Sequence, residues 1–182
     1  DWHSYANGSV LTLSLTNSSL YAGGYFTEIN GTSQISFAKL DTKTGQPNSD
    51  WKLNFNSIVN TIAIDGNDIY VGGMFSEVNK YKRNSLVKIS SLTGKVDPNW
   101  DPDADWAVYS LDTYGYNIYA GGTFKEIGGV EKNYLVKLNS VDGKAELDWS
   151  PLPNRKINAL LVNSSNNELF IGGDFFKIND LQ

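Results

Sequence analysis

The feature that most constrains this chain is an internal repeat with a period of 49 residues. Tryptophans and Gly-Gly pairs follow this spacing, and the last pair is displaced by a two-residue insertion at 164–167. The repeated residues are Trp2, Trp51, Trp100 and Trp149, with Gly23-Gly24, Gly72-Gly73, Gly121-Gly122 and Gly172-Gly173. Periods of roughly 20–50 residues are typical of solenoids, propellers and arrays. The spacing predicts units at 10–58, 59–107 and 108–156, with the tail of a preceding unit at 1–9 and an incomplete unit at 157–182.

Each unit carries four strand signals. In the second unit they are short apolar or β-branched runs at 59–64, 69–73, 86–90 and 95–100, separated by turn sequences. Pro98 lies in the last run, which therefore suits the outer edge of a sheet. Four short strands in about 40–50 residues is the pattern of a propeller blade. We therefore predict an all-β fold, a β-propeller of four-stranded antiparallel blades, with first strands beginning near Val10, Val59, Val108 and Ile157. A β-helix is the alternative.

The repeat also resembles a known repeat class. The runs Ile69–Asn79, Leu86–Ile89 and Thr93-Gly94, followed by Trp100, are similar to the delta-sixty repeats of bacterial secreted and surface proteins. They also resemble the propeller repeats of fungal cell-surface polarity markers. The resemblance covers essentially the whole chain and implies an extracellular β-propeller within a larger protein. It implies no particular ligand or activity.

Composition removes several classes of function. The formal net charge is −5, which argues against a nucleic-acid partner. The absence of cysteine excludes a disulfide framework, and no apolar run approaches the length of about 20 residues that spans a bilayer. His3 is the single histidine, so a histidine triad or multi-histidine metal site cannot form within this chain. Because the sequence opens on the end of one unit and stops within another, we expect a fragment of a longer polypeptide.

Residues that recur in every unit are interpreted as structural. We expect the Gly-Gly pairs to let neighbouring backbone or side chains approach closely, and the repeat tryptophans to pack between blades. Two further sets share one register and are expected to form Glu–Lys pairs between strands of a blade, namely Glu28, Glu77 and Glu126 with Lys39, Lys88 and Lys137. An active site occupies one place and breaks the repeat. No off-register cluster of acids and bases is found, so we predict that the chain is not an enzyme.

Loops that differ between units are the candidates for function. Trp106 lies outside the tryptophan register and is the best candidate for a ligand contact, together with Tyr81, Lys82 and Arg83 of a basic loop. A second loop alternates oxygen-bearing side chains and is a candidate calcium site, since calcium takes six to eight oxygen ligands. Its residues are Asp97, Asn99, Asp101, Asp103 and Asp105. A solvated acidic loop is the alternative, because Pro102 stands where an EF-hand has glycine. No other cofactor is expected. Four sequons make glycosylation sites of Asn7, Asn17, Asn30 and Asn163 in an organism that modifies secreted proteins.

The leading hypothesis is a non-enzymatic extracellular β-propeller module that serves in binding or structural display. One alternative is a structural subunit of a surface layer or filament, and a second is a carbohydrate-active enzyme or lectin-like domain. Three to four blades are too few for a ring of six to eight. We therefore expect the remaining blades to come from the rest of the polypeptide or from a second copy, with a protein or carbohydrate as ligand and with no nucleic acid or membrane span.

Overall fold

The computed structural model describes residues 3–179, and all regular elements in this range are β-strands. Every strand pairing is antiparallel, so the predicted all-β antiparallel fold is confirmed. Trp2, the first of the repeat tryptophans, lies outside the described residues. Within those residues, no helix has the length and apolar character needed to cross a membrane.

The strands recur in one order from unit to unit. Blade 1 contains β1 (Ser9–Leu15), β2 (Ser19–Tyr25), β3 (Glu28–Ile29), β4 (Thr32–Ser33) and β5 (Phe37–Asp41). Blade 2 contains β6 (Val59–Asp65), β7 (Asp68–Gly73), β8 (Glu77–Val78), β9 (Tyr81–Lys82) and β10 (Leu86–Ser90). Blade 3 contains β11 (Val108–Tyr114), β12 (Asn117–Gly122), β13 (Glu126–Ile127), β14 (Val130–Glu131) and β15 (Leu135–Asn139). Blade 4 contains β16 (Ile157–Asn163) and β17 (Glu168–Gly173). First strands begin at the predicted positions or one residue away.

In blades 1 to 3 the second strand lies between the first and the third, as in β1-β2-β5. The two short strands between the second and third form a separate hairpin. Each first strand also shifts register near its start, between Val10 and Thr12 in blade 1 and at the same repeat position in the other blades. Such a β-bulge bends the strand and increases its twist. Its recurrence in all four blades gives them a common curvature.

The predicted fourth strand is reduced to one bridging residue in each of blades 1 to 3. The bridges join Leu40 to Pro47, Ile89 to Val96 and Leu138 to Ala145. In the first two blades the chain turns away directly after the bridge: the side chain of Asn48 accepts from the amide of Asp50, and that of Asp97 from the amide of Asn99, both at 2.9 Å. Such Asx turns compete with the ladder for backbone groups. The single bridge makes the outer edge of each blade shorter than the sequence pattern indicates, and in blades 1 and 2 the Asx turn ends it.

Small residues and tryptophans form the contacts between blades. A Cβ added to Gly72 would lie 2.7 Å from Val108 Cγ1 of blade 3, and Gly23 and Gly121 face Val59 and Ile157 in the same way. Trp51 packs on Tyr21 of its own blade at a ring distance of 5.6 Å, and on the turn at Gly94 of blade 2. The predicted packing roles of the Gly-Gly pairs and of the repeat tryptophans are both seen here.

The expected Glu–Lys pairs are absent from the described residues, and that prediction is wrong. Glu28, Glu77 and Glu126 lie exposed in the short hairpins. Lys88 pairs instead with two aspartates of its own blade, Asp68 at 2.9 Å and Asp97 at 3.9 Å. The reason is geometric: Lys88 lies directly opposite Tyr70 in the β7–β10 pairing, two residues from Asp68, whereas the glutamates belong to a different sheet.

Candidate functional site

The connections that vary most in sequence lie together on one face of the sheets, which we call the loop face. It carries the short hairpins β3–β4, β8–β9 and β13–β14 and the segments that lead into each first strand. A recurring amide or carboxylate joins the two: Asn56 Oδ1 accepts from the backbone N–H groups of Ser76 and Glu77 at 2.9 and 3.1 Å. The equivalent residues, with the same bonding, are Asn7, Asp105 and Asn154. The loop face is therefore held rigidly to the blades.

Two clefts open on the loop face at equivalent positions. Cleft 1, between blades 1 and 2, has a volume of about 480 Å³ and is lined by residues that include Tyr25, Phe26, Ile35, Phe55 and Ser57. Cleft 2, between blades 2 and 3, has about 260 Å³, and Met74, Phe75, Asn84, Ala104 and Trp106 occupy the same register. The surroundings are thus repeated while the lining side chains change.

Trp106 lies in cleft 2 with 64% of its surface exposed, as a ligand contact would require. Its neighbour across the cleft, Met74, is 48% exposed, so both present apolar surface to solvent. Tyr81 and Lys82 are also exposed, but they form β9 and do not line this cleft. Sequence reasoning missed Tyr25, which is 67% exposed in cleft 1. The repeat contains the signal that could have found Tyr25, because Tyr25 lies 49 positions before Met74 and so occupies the same place beside a cleft.

Arg83, predicted as a ligand contact, is placed elsewhere by the structure. It is 7% exposed, and its guanidinium donates to the carbonyls of Lys82, Asp97 and Pro98 at 2.8–3.1 Å and to Asp101 Oδ2 at 3.1 Å. Lys132, one repeat later, binds the outer segment of blade 3 in the same way. The structure gives Arg83 a structural role, because its side chain joins a hairpin to the outer segment of its blade, and a ligand contact by Arg83 stays a prediction.

Asp101 has its pKa raised by burial, and the adjacent Arg83 guanidinium acts in the opposite direction. The remaining carboxylates of this loop have separate partners. Asp103 accepts from Asn84 Nδ2 at 2.6 Å, and Asp105 accepts from the backbone of β13 and the residue before it. Within residues 3–179 no three acidic or histidine side chains come together as ligands of a metal ion. The geometry thus favours the solvated-loop alternative, and calcium binding stays a hypothesis.

The four sequon asparagines differ in their surroundings. Asn7 donates to Thr27 Oγ1 at 2.8 Å, and its Oδ1 accepts from the backbone N–H of Thr27 at 2.9 Å. Asn30 donates to the carbonyls of His3 and Gly45 at 3.2 and 3.1 Å. Asn17 is exposed in the turn between β1 and β2, and Asn163 ends β16. A glycan on Asn7 or Asn30 would replace a hydrogen of the Nδ2 group that donates these bonds, so Asn17 is the sequon with the most accessible surroundings.

Comparison with known proteins supports the fold. A family model described as a beta-propeller domain of unknown function, DUF5122, matches residues 117–145. No curated protein matches the chain. Among solved structures, the computationally designed Ika4 protein is similar with a TM-score of 0.59 at 13% identity, and 91% of each chain is covered. The fold is therefore a β-propeller.

A natural protein is similar to the same extent. The extracellular domain of BT4673 from B. thetaiotaomicron matches in two crystal structures, with TM-scores of 0.59 and 0.60 and identities of 17% and 16%. The match covers 91% of this chain but 20% of that one, so the chain spans about one fifth of its relative's length. At this identity the likeness concerns the fold alone.

Proposed function

We propose that this chain is part of a non-enzymatic, extracellular β-propeller module that binds a ligand on its loop face. One observation carries the proposal: the two clefts repeat in position while their lining changes, from Tyr25 and Ser57 in cleft 1 to Met74 and Trp106 in cleft 2. A constant framework with varied loops is how binding function is placed on a rigid scaffold. The exposed indole of Trp106 suits stacking on a sugar ring or an apolar side chain of a partner.

The side chains near the Trp106 cleft favour binding over catalysis. General acid–base catalysis needs a titratable group free to exchange a proton with the substrate. Asp105 is the acid that lines cleft 2, and its Oδ1 is bonded to the backbone N–H groups of Lys125 and Glu126 at 2.8 and 3.1 Å. Asp101, whose pKa is raised, is paired with the buried Arg83. A carbohydrate-active enzyme is therefore the less favoured alternative.

Support for an extracellular location comes from two sources. The repeat resembles those of secreted and surface proteins, and the similar BT4673 structures are of an extracellular domain. The same resemblance supports a role within a larger protein.

Exposed apolar surface on the terminal blades favours neighbouring blades as partners. Leu11, Leu13 and Leu15 of β1 are 53–70% exposed, and Leu161 and Phe170 of blade 4 are 61% and 54% exposed. Propeller blades normally cover such faces for one another. The proposal is that further blades of the same polypeptide cover them. Light scattering on this chain tests it: a soluble monomer with both faces uncovered would contradict it, a closed dimer would assign the blades to a second copy, and open polymers would favour the filament alternative.

Binding at the loop face is tested with a Trp106→Ala variant. The matched control is Tyr116→Ala, because Tyr116 is 78% exposed in the turn between β11 and β12, on the opposite face. Both variants and the wild type are applied to an array of polysaccharides and immobilised cell-surface proteins. We expect retention of the wild type and of Tyr116→Ala, and loss of retention for Trp106→Ala. Depolymerised glycan in the wild-type reactions, detected by mass spectrometry, would overturn the non-enzymatic assignment.

A further inference from the structure

A cavity on the face opposite the loop face contains a lysine that lacks the carboxylate partners of its counterpart. The cavity lies between blades 1 and 2, has a volume of about 370 Å³, and is lined by residues that include Tyr21, Lys39, Asn67 and Ser91. Lys39 is half-buried, with Nζ 4.5 Å from the centroid of the Trp51 ring and 3.5 Å from Ser91 O of blade 2. An ammonium group has three donors, and these contacts leave most of that capacity unused.

The repeat provides an internal reference for this lysine. One unit later, Lys88 Nζ lies 3.1 Å from Ser140 O of blade 3, which is the contact that Lys39 makes with Ser91. Lys88, however, also binds the carboxylates of Asp68 at 2.9 Å and Asp97 at 3.9 Å. In blade 2, therefore, the group that binds the lysine ammonium at this repeat position is a carboxylate.

Blade 1 has neither carboxylate. The residues in register with Asp68 and Asp97 are Ser19 and Asn48, both of which border a smaller recess of about 130 Å³ beside Lys39. Among residues 3–179 no carboxylate oxygen lies within 4 Å of Lys39 Nζ. Asp41 borders the same recess, but its Oδ1 accepts from Lys43 N, Thr44 N and Thr44 Oγ1 at 2.7–3.0 Å.

We propose that the cavity at Lys39 is a binding site for the carboxylate of a sugar acid. The ligand carboxylate takes the place that Asp68 occupies in blade 2 and accepts from Lys39 Nζ. Hydroxyl and amide groups at the rim of the cavity then bond the ligand hydroxyls, and they belong to Asn17, Ser18, Asn67 and Ser91. Burial lowers the pKa of Lys39, which is the expected effect on an ammonium that has lost water without gaining an anion.

The probe is sodium glucuronate, titrated into the isotope-labelled chain and followed by NMR at constant ionic strength. Acetate supplies the charge alone, and glucose supplies hydroxyls alone. We expect saturable shifts at Lys39, Asn67 and Ser91 with glucuronate, weaker ones with acetate and none with glucose. No saturable shift up to the solubility of the salt would overturn the site. Equal affinities for acetate and glucuronate would overturn the sugar-acid assignment, and preference for inorganic phosphate would overturn the carboxylate assignment.

Two variants use the repeat as its own control. Ser19→Asp copies the carboxylate of blade 2 into blade 1 and is expected to weaken glucuronate binding at least about tenfold, since an internal carboxylate takes the charge-assisted bond. The double change Asp68→Ser and Asp97→Asn copies blade 1 into blade 2 and is expected to create a second site with shifts at Lys88 and Ser140. Both changes install residues that the fold already accommodates in this register. Unchanged affinity in a folded Ser19→Asp chain would contradict the proposal.

Discussion

Blade 2 and the two end blades have the same strand pattern in different surroundings. In the first strands, Ile62 of blade 2 is 7% exposed, whereas Leu13 of blade 1, in the same register, is 60% exposed. In the second strands, Tyr70 is 0% exposed and Phe170 of blade 4 is 54% exposed. Burial in this fold is therefore supplied by the adjacent blade and not by the strand itself, which is the nearest-neighbour property of repeat proteins.

The space around the repeated glycines also depends on whether a neighbouring blade is present. A Cβ on Gly72 would meet Thr61 Cγ2 and Val108 Cγ1 at 2.7 Å, whereas a Cβ on Gly172 would meet nothing within 4 Å. Glycine is thus required at this repeat position where a neighbouring blade packs against it. At the end blade the same position has open space around it. Position-matched substitutions can test how far this difference extends.

The largest difference is expected for the tryptophans. Trp100 is 0% exposed, packs on Tyr70 at a ring distance of 5.2 Å, and donates from Nε1 to Asn139 O of blade 3 at 3.1 Å. Trp100→Ala should lower the free energy of unfolding by about 3–5 kcal/mol. Trp149 is half-buried, and Trp149→Ala should lower the free energy of unfolding by roughly 1–2 kcal/mol. Urea denaturation measures both, and equal losses would show that the two blade boundaries are equivalent.

A smaller difference is expected in the first strands. Ile62→Ala removes a buried side chain between blades and should lower the free energy of unfolding by about 2–4 kcal/mol. Leu13→Ala, at a position that is exposed in this chain, should change it by less than about 0.5 kcal/mol when unfolding is measured at a concentration too low for the chain to associate. The comparison fails if Leu13→Ala costs as much as Ile62→Ala, because the face of blade 1 would then be covered in solution.

The glycine pair sharpens the comparison further. Gly72→Ala introduces a methyl group between blades 2 and 3 and should destabilise the fold by about 1–3 kcal/mol through overpacking. Gly172→Ala should alter the free energy of unfolding by less than about 0.5 kcal/mol. Thermal melting of the two variants in parallel is sufficient, and a tolerated Gly72→Ala would mean that the boundary between blades is looser than its contacts indicate.

The smallest effect is expected from calcium at the boundary between blades 2 and 3. Because Asp101, Asp103 and Asp105 are bonded to different protein groups, millimolar calcium should leave the melting midpoint unchanged relative to a chelator control. A calcium-dependent rise that Asp103→Ala abolishes would instead establish the loop as a metal site.

The repeat made the strand starts and the packing of glycines and tryptophans predictable, because each depends on what all units share. The burial of Arg83 is not predictable from its neighbours Tyr81 and Lys82, which are exposed, because local polarity does not reveal that a hairpin folds back on the outer segment of its blade. The register held a signal: Gln34, Arg83 and Lys132 are all long and polar, and all three are buried.

The Lys39 cavity is not predictable from the repeat, because it depends on a difference between two units and not on what the units share. Lys39 and Lys88 share a register, and the repeat alone does not distinguish them. They differ in the residues about 20 positions before and 9 positions after each lysine, which are Ser19 and Asn48 in blade 1 and Asp68 and Asp97 in blade 2. Strand pairing brings these distant positions to one place, and the pairing register cannot be read from composition.

The contact between a glycine of one blade and the first strand of the next has a genetic consequence. Gly23, Gly72 and Gly121 each meet a β-branched residue, and the separation along the chain is the same in all three cases, at Val59, Val108 and Ile157. Each unit thus encodes both contact surfaces, namely the glycine that faces the next blade and the β-branched residue that faces the preceding one. A tandem duplication of 49 codons would insert a blade that already matches both neighbours, and an in-frame deletion of the same length would rejoin two matching surfaces. Blade number can therefore change between descendants of one gene without any compensating substitution at the boundaries.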